Sequence, residues 1–451
     1  MHHPAEQTSL LIDGILDSLP DRFANDSSDA LEKFIKRYYR QTPENDFSSS
    51  TPEDFGGAAI SHWQLMQRRQ PGEALVKVFN PRVEQHGWQC AHTVVEIVAD
   101  DMPYLVNSLT MAITHAGLNI HLTVHPILHV VRDSKGNYLT LTSAEDNDKN
   151  DKKTKSKKDK PAGTSGNTSD NTYAESLVHL QIDRLVDDTQ ITNLQAEIDK
   201  TIFQVASVHS DSAELVAQPA NMAKLLESQL DLDDQAKSML ELLDWLDSSH
   251  FHVFGAGEFK QRKKTATEIA DFKLVKDSAL GLMRGNNRFD GLDPTAVLGE
   301  HIMTTNGGSE VPPLVAIGKA SVRSPLNRPE TLDVISCRSP DGKRVAVIVG
   351  LFTQSMNNRE TEFIPLLRDK TQQVLQASGY ERGTHDGKSL SDTMENLPRD
   401  LLFQAEPEEI LTIARGIVNL QERQRIKLFG SLASGGRYYN CLVYILSLIH
   451  I

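Results

Sequence analysis

The chain has 451 residues, 39% hydrophobic and 24% charged, which are globular proportions with room for two to four domains. Its formal charge of −14 argues against a polyanion-binding surface, so neither nucleic acid nor an anionic membrane is an expected partner. The three cysteines, Cys90, Cys337 and Cys441, lack paired spacing, which argues against a disulfide framework or a cysteine-based zinc site and fits a reducing cytoplasm. The first residues lack the basic region and apolar core of a signal peptide, and no window is apolar for long enough to span a bilayer. A soluble cytoplasmic protein is the expectation.

In chain order, Leu10, Leu11, Ile15 and Leu19 recur at helical spacing, as do Leu31, Phe34, Ile35 and Tyr38. Polar Gln41–Phe55 reads as a linker, and a helix is predicted over Ala58–Arg69. Ala74–Phe79 is a candidate extra strand. The stretch His92–Asp133 is the most structured in pattern. Val94–Val98 is β-branched and short, hence a strand. Asp100-Asp101-Met102-Pro103 reads as a carboxylate cap with proline near the first helical position. Leu105, Leu109, Ile113 and Ala116 then keep helical spacing up to Gly117. From Ile120 the period returns to two: Ile120, Leu122, Val124, Leu128 and Val130 face one way, and His121, Thr123, His125 and His129 the other. Strand, helix and strand make a βαβ opening of the ferredoxin-like kind.

A short strand is predicted over Tyr138–Thr142. Beyond Leu141 no large apolar side chain occurs before Tyr173, and a disordered insert over 143–172 is expected because such a segment cannot offset its ordering entropy. Leu177–Asp183 alternates again, and a helix carries Ile191, Leu194, Ile198, Ile202 and Val205. The order is thus βαβββα, and helices on one face of an antiparallel sheet are the economical cover. Residues 221–249 are helical in pattern, while 275–310 has no assignable pattern. Strands are predicted at Leu314–Ser321, Leu332–Cys337 and Val345–Phe352, with a tight turn at Ser339-Pro340-Asp341-Gly342. Helices follow over Phe363–Ala377 and Pro407–Leu420, and a last strand over Tyr438–Ile445.

Chemistry-bearing motifs are sparse. Gly255-Ala256-Gly257 approaches a dinucleotide fingerprint, but Lys260 replaces its third glycine and no helix opens there. Gly430 to Gly436 has phosphate-loop spacing without the lysine and hydroxyl. No catalytic residue, cofactor site or metal site is assigned. His121, His125 and His129 share one strand face, with His179 placed on the polar face of another strand. They form either a titrating or metal-binding stripe or, since residues four apart on a strand lie roughly 13 Å apart, histidines spread over a polar face or a domain contact. Arg323, Arg328, Arg359 and Arg368 are either an anion site or scattered surface charges. The Asp100–Ser108 turn enters a helix N-terminus, whose unpaired N–H groups suit a carboxylate. The plainer alternative is that Asp101 only caps the helix and Asn107 faces solvent.

Asp101-Met102-Pro103-Tyr104-Leu105-Val106-Asn107-Ser108, with Gly117-Leu118-Asn119-Ile120-His121 and Val124-His125-Pro126, resembles the first ACT-type domain of the large bacterial NAD-specific glutamate dehydrogenases. Gly350–Thr353, Ile364–Arg368, His385–Lys388, Leu397–Phe403 and Asn440–Tyr444 resemble later segments of the same N-terminal region. The resemblance runs from about Phe34 onward. It implies an α+β fold: an ACT/ferredoxin-like antiparallel sheet with helices on one face, an α+β middle domain, and the truncated start of a second ACT-like domain. The corresponding boundaries are 1–57 (helices and linker), 58–215 (first ACT-like domain), 216–249 (connecting helices), 250–402 (middle domain) and 403–451. Leu446–Ile451 does not resemble the family's continuation, so a truncated end is expected. By resemblance Asp101, Met102, Pro103, Asn107 and Ser108 line an amino-acid effector site. The region is expected to regulate or assemble an enzyme oxidising L-glutamate with NAD, with no cofactor in this part. Its expected partners are the enzyme's own C-terminal catalytic region, further copies of itself and an amino-acid effector. The alternatives are a stand-alone amino-acid-sensing ACT protein and an oligomerisation scaffold.

Overall fold

The computed structural model describes residues 12–19, 28–43, 46–47, 50–142, 171–227, 234–246, 250–261, 272–298, 314–339, 342–381, 383–420, 426–432 and 439–445. The predicted insert therefore lies almost wholly outside the described residues, and the strand after it begins at Thr172. The chain forms two compact units, residues 1–209 with 325–328, and residues 210–324 with 329–451.

The first unit contains α1 (residues 12–17), α2 (Ser28–Tyr38), α3 (Pro52–Met66), β1 (Leu75–Phe79), α4 (Val83–His86), β2 (Thr93–Asp100), α5 (Leu105–His115), β3 (Ile120–Val124), β4 (Ile127–Arg132), β5 (Tyr138–Thr142), β6 (Thr172–Ile182) and α6 (Asp188–Ser210). Its sheet is antiparallel, in the order β1-β2-β6-β4-β5, with β3 also on β6. Because β2 and β3 both run antiparallel to β6, they are parallel to each other with β6 between them, the split βαβ of the ferredoxin-like arrangement. The expected extra strand is β1, paired along β2. The single strand read from Ile120 onward is broken at His125-Pro126, and its two pieces share one edge of the eleven-residue β6. Its alternation holds within each piece: Leu122, Val124, Leu128, Val130 and Arg132 are buried while His121, Thr123, Ile127, His129 and Val131 are not, and Pro126 at the break is buried as well.

Both faces of this sheet are covered. On one face Val98, Leu122, Val124, Leu128, Val130 and Leu177 pack with Leu31, Phe34, Ile35 and Tyr38 of α2 and Ala59, Ile60, Trp63 and Met66 of α3. The other face, with Val95, Ile97, Val178 and Leu180, is equally buried. Leu105, Leu109 and Ile113 of α5 and Leu194, Ile198, Ile202 and Val205 of α6 are the apolar stripes left to cover it. The α+β class stands as read, and α2 and α3 add a second layer to the helices expected on one face.

Two helix starts differ from expectation. α3 begins at Pro52, inside the supposed linker, where the Thr51 side chain accepts from the Asp54 N–H and proline occupies the first turn. α5 has no carboxylate cap: its N-cap is Tyr104 in the left-handed region (φ 70°), with no side-chain cap bond, and Pro103 precedes the cap.

In the second unit β7 (Phe251–Gln261), β8 (Phe272–Leu274), β10 (Val315–Arg323), β11 (Thr331–Arg338) and β12 (Arg344–Phe352) form a sheet in the order β10-β11-β12-β7-β8, with β9 (Leu280–Gly281) also on β7. The predicted strands are found here, and the Gly342 N–H (φ 69°) donates to the Ser339 carbonyl, while Pro340 and Asp341 of the predicted turn lie outside the described residues. Helices Leu367–Ser378, His385–Glu395, Arg399–Gln404 and Pro407–Val418 follow, the first stopped at Gly379 in the left-handed region. A two-stranded antiparallel ribbon, β13 (Ile426–Leu432) with β14 (Tyr439–Ile445), completes the described chain.

Candidate functional site

The loop between β2 and α5 is where the predicted effector residues lie, and the sheet beneath explains its shape. On one face of the sheet Asp100 of β2 stands opposite Glu175 of β6. Two fully buried arginines converge there. Arg132 grips Glu175 with both Nε (2.6 Å) and Nη2 (2.7 Å) and also donates to the Gly136 and Met66 carbonyls. Arg69 donates from Nη2 to Glu175 (2.9 Å) and Asp100 (2.6 Å), and from Nη1 to the Glu73 carbonyl. Burial opposes the charge on Arg69, but Glu175 and Asp100 outweigh it and hold its pKa above the ordinary value. Two guanidinium charges meet two carboxylates, so the cluster is neutral in sum, and forked donors suit it as lysines would not. It clamps the end of α3, the turn at Gly136 and the last residue of β2, fixing where the loop begins.

The loop leaves on the opposite face. The Asp101 N–H still joins the ladder by donating to the Ala174 carbonyl (3.0 Å), and the Asp101 side chain accepts from the Ser176 hydroxyl (2.8 Å). Ser176 in turn lies 3.2 Å from His125 Nε2, giving a line from Asp101 through Ser176 to His125. Burial lowers the His125 pKa, and Asp101 pulls it partly back. Of the predicted set, Asp101, Pro103 and Asn107 are exposed, while Met102 and Ser108 are buried. The Ser108 hydroxyl donates to the Tyr104 carbonyl (2.7 Å) and accepts from the N–H of Asn327, which belongs to the same unit. The exposed surface of the loop is therefore Asp101, Pro103 and Asn107, with the half-buried Tyr104 ring beside them. Asp101 acts as a partner of Ser176 and not as the helix cap.

The histidines do not form one stripe. His121, His125 and His129 lie on the same side of their strands, but His179 is buried on the other face, in register with Glu96 and Val124. His121 is held by Asp183 (2.7 Å) and stacked on His92. Among the described residues no group of three or more His, Cys, Asp or Glu side chains is arranged to hold a metal ion. Nor do the proposed arginines act as one anion site: Arg368 is already paired with Glu241 and Asp369.

Gly255 and Gly257 lie inside β7, where added Cβ atoms would meet Val349 and Leu274 at 2.9 and 2.7 Å. These glycines permit close packing in an antiparallel sheet and open no phosphate-binding turn, so they do not fit a dinucleotide.

The model of the glutamate dehydrogenase ACT1 domain matches residues 34–198, and the model of the glutamate dehydrogenase helical motif 1 matches residues 364–423. The first spans the α2–α3 layer and the sheet, and the second spans the helices after β12. Similar proteins include the NAD-specific glutamate dehydrogenases of Halomonas elongata (28% identical over 99% of this chain and 26% of the relative) and Pseudomonas aeruginosa (30% over 91% and 24%). That of Mycobacterium tuberculosis is 24% identical over 85% of this chain and 21% of its own. The chain belongs to the NAD-specific glutamate dehydrogenase family. It spans about a quarter of the length of these relatives. Within this glutamate dehydrogenase family member, the ACT1 match places the loop from Asp101 to Ser108 at the strand-to-helix junction of a domain of that type.

Proposed function

We propose that this chain is the regulatory and assembly region of an NAD-dependent glutamate dehydrogenase, with hydride transfer performed by a separate catalytic region. In the whole enzyme L-glutamate and NAD give 2-oxoglutarate, ammonia and NADH. The observation that carries the reading is the split βαβ sheet with an anchored strand-to-helix loop, in a chain whose nearly full length aligns with such enzymes. Of Asp101, Met102, Pro103, Asn107 and Ser108, an amino-acid effector would meet the exposed Asp101, Pro103 and Asn107, with the buried Met102 and Ser108 beneath them. Its carboxylate would take the N–H groups of the first turn of α5 and its ammonium the exposed Asp101. Binding there would bias the enzyme by a coupling free energy between sites.

The test has two arms. Calorimetry of the purified chain with the twenty amino acids is expected to give heat with at least one, abolished by Asp101→Ala; silence with all of them favours an assembly scaffold. Glutamate-dependent NADH formation by the purified chain is expected to be absent, and its appearance overturns the separation of regulation from chemistry. Self-association in a cytoplasmic enzyme belongs to the same reading, and light scattering across concentrations measures it.

A further inference from the structure

A second buried polar cluster lies on the α3-covered face of the first unit, apart from the loop. Along one rung of the sheet stand Lys77 of β1, Glu96 of β2 and His179 of β6. Ser61 and His62 of α3 cover this rung, and Trp88 lies beside it, packed on Val94 and Ala58. Glu96, His62, His179 and Trp88 are each no more than 3% exposed.

Hydrogen bonding in this cluster is incomplete in a specific way. His62 is satisfied on both sides, by Tyr38 and by the Ile97 carbonyl. One oxygen of Glu96 accepts from Ser61 at 3.0 Å. The other oxygen, both ring nitrogens of His179 and the indole N–H of Trp88 make no direct hydrogen bond within the protein. Glu96 Oε1 and His179 Nδ1 are 3.8 Å apart, too far for a direct bond yet close enough for one small molecule to bridge them. The rings of His179 and Trp88 are 6.4 Å apart. Leaving such buried groups unpaired costs about 1–3 kcal/mol each, so the cluster calls for a ligand.

The donor and acceptor types select it. A carboxylate oxygen only accepts and an indole N–H only donates, while a neutral imidazole does one at each nitrogen. A cation, ammonium included, cannot accept from Trp88, and an anion cannot donate to Glu96. A species that both donates and accepts, and that fits between side chains with almost no exposure, is water. The two nitrogens of His179 point away from each other, so a single molecule cannot serve both. We infer that the Glu96–His179–Trp88 cluster is an internal hydration site for two ordered waters. One bridges Glu96 Oε1 and His179 Nδ1, and the other joins His179 Nε2 to Trp88 Nε1. Buried waters of this kind typically make about three bonds and count as part of the structure.

The site joins α3 to the sheet through polar contacts inside a buried layer, which ties the helix to one register. A crystal structure of the 451-residue chain tests this, with density expected for two waters within hydrogen-bond reach of these atoms. A direct Glu96–His179 bond with no intervening density overturns the inference, as does density for a larger or non-water ligand. Oxygen-17 relaxation dispersion of water provides the second measurement and needs no crystals. Trp88→Phe is expected to lose one long-lived water and His179→Phe two, relative to the parent chain. Unchanged counts in both folded variants overturn the inference. Should His179→Phe fail to fold, the milder Trp88→Phe still decides the second water.

Discussion

His62 gives the sharpest test of how the helical layer is fixed. Its Nδ1 lies 2.9 Å from the Tyr38 hydroxyl of α2 and its Nε2 lies 3.0 Å from the Ile97 carbonyl of β2. A carbonyl only accepts, so Nε2 carries the hydrogen and Nδ1 accepts from Tyr38: the ring is neutral and ties two helices to the sheet. Burial pushes its pKa down to about 4, with Glu96 drawing it back up and His179 and Lys77 adding to the fall. The unfolded chain keeps a value near 6.5. Between these values the unfolded state binds the proton that the folded state refuses. Stability is therefore full above pH 6.5 and is lost as pH falls toward 4. A difference of about 2.5 units corresponds to roughly 3 kcal/mol. His62→Gln removes the titration. Relative to the parent it is expected to be less stable near neutrality by about 2 kcal/mol, for a lost buried hydrogen bond and imperfect packing. That gap should close or reverse by pH 4. Urea unfolding followed by Trp63 and Trp88 fluorescence, in a Trp245→Phe background, reads the first unit alone. A stability difference that stays constant from pH 7 to pH 4 refutes the neutral, buried histidine.

Removing Arg132 with Arg132→Met should destabilise the first unit by about 3–5 kcal/mol, because Glu175 is left buried with half its partners. Arg132→Lys should rescue little, since an ammonium cannot span both carboxylate oxygens; thermal unfolding of the two variants checks both statements. Thr51→Ala should cost about 1 kcal/mol through loss of the α3 cap, measurable by the same denaturation. Asp101→Asn should lower the His125 pKa further, because the nearby negative charge that favours the imidazolium is gone. A proton NMR titration that shows His125 unmoved contradicts the Asp101–Ser176–His125 line.

Alternating residues revealed the sheet, and the switch to helical spacing at Leu105 revealed α5, because one buried face per element leaves a periodic trace. Leu177–Asp183 alternates and so puts His179 on the polar face of its own strand, but with the whole run from Leu177 to Ile182 buried, nothing in it tells which side of the sheet that face takes. Only its register with Glu96, a property of two strands far apart in sequence, does so. The clamp of Arg69, Arg132, Glu175 and Asp100 was hidden for the same reason: its members come from a helix end and three strands. The start of α3 is legible in the sequence, since Thr51-Pro52-Glu53-Asp54 holds cap, proline and early acidic residues together. Tyr104 was not readable as a helix cap, because a left-handed tyrosine is imposed by its surroundings and not by its own preference.

The strand on which the first sheet depends most is the last of that sheet to be made. β2 on one side, and β3 and β4 on the other, all pair with β6, so they gain their shared neighbour only once synthesis has passed Ile182. Until then the nascent chain can hold two separate ribbons, β1 with β2 and β4 with β5, each showing an unsatisfied edge. Assembly of this unit is thus a late, long-range event, slow by the measure of loop closure and exposed to mispairing while it waits.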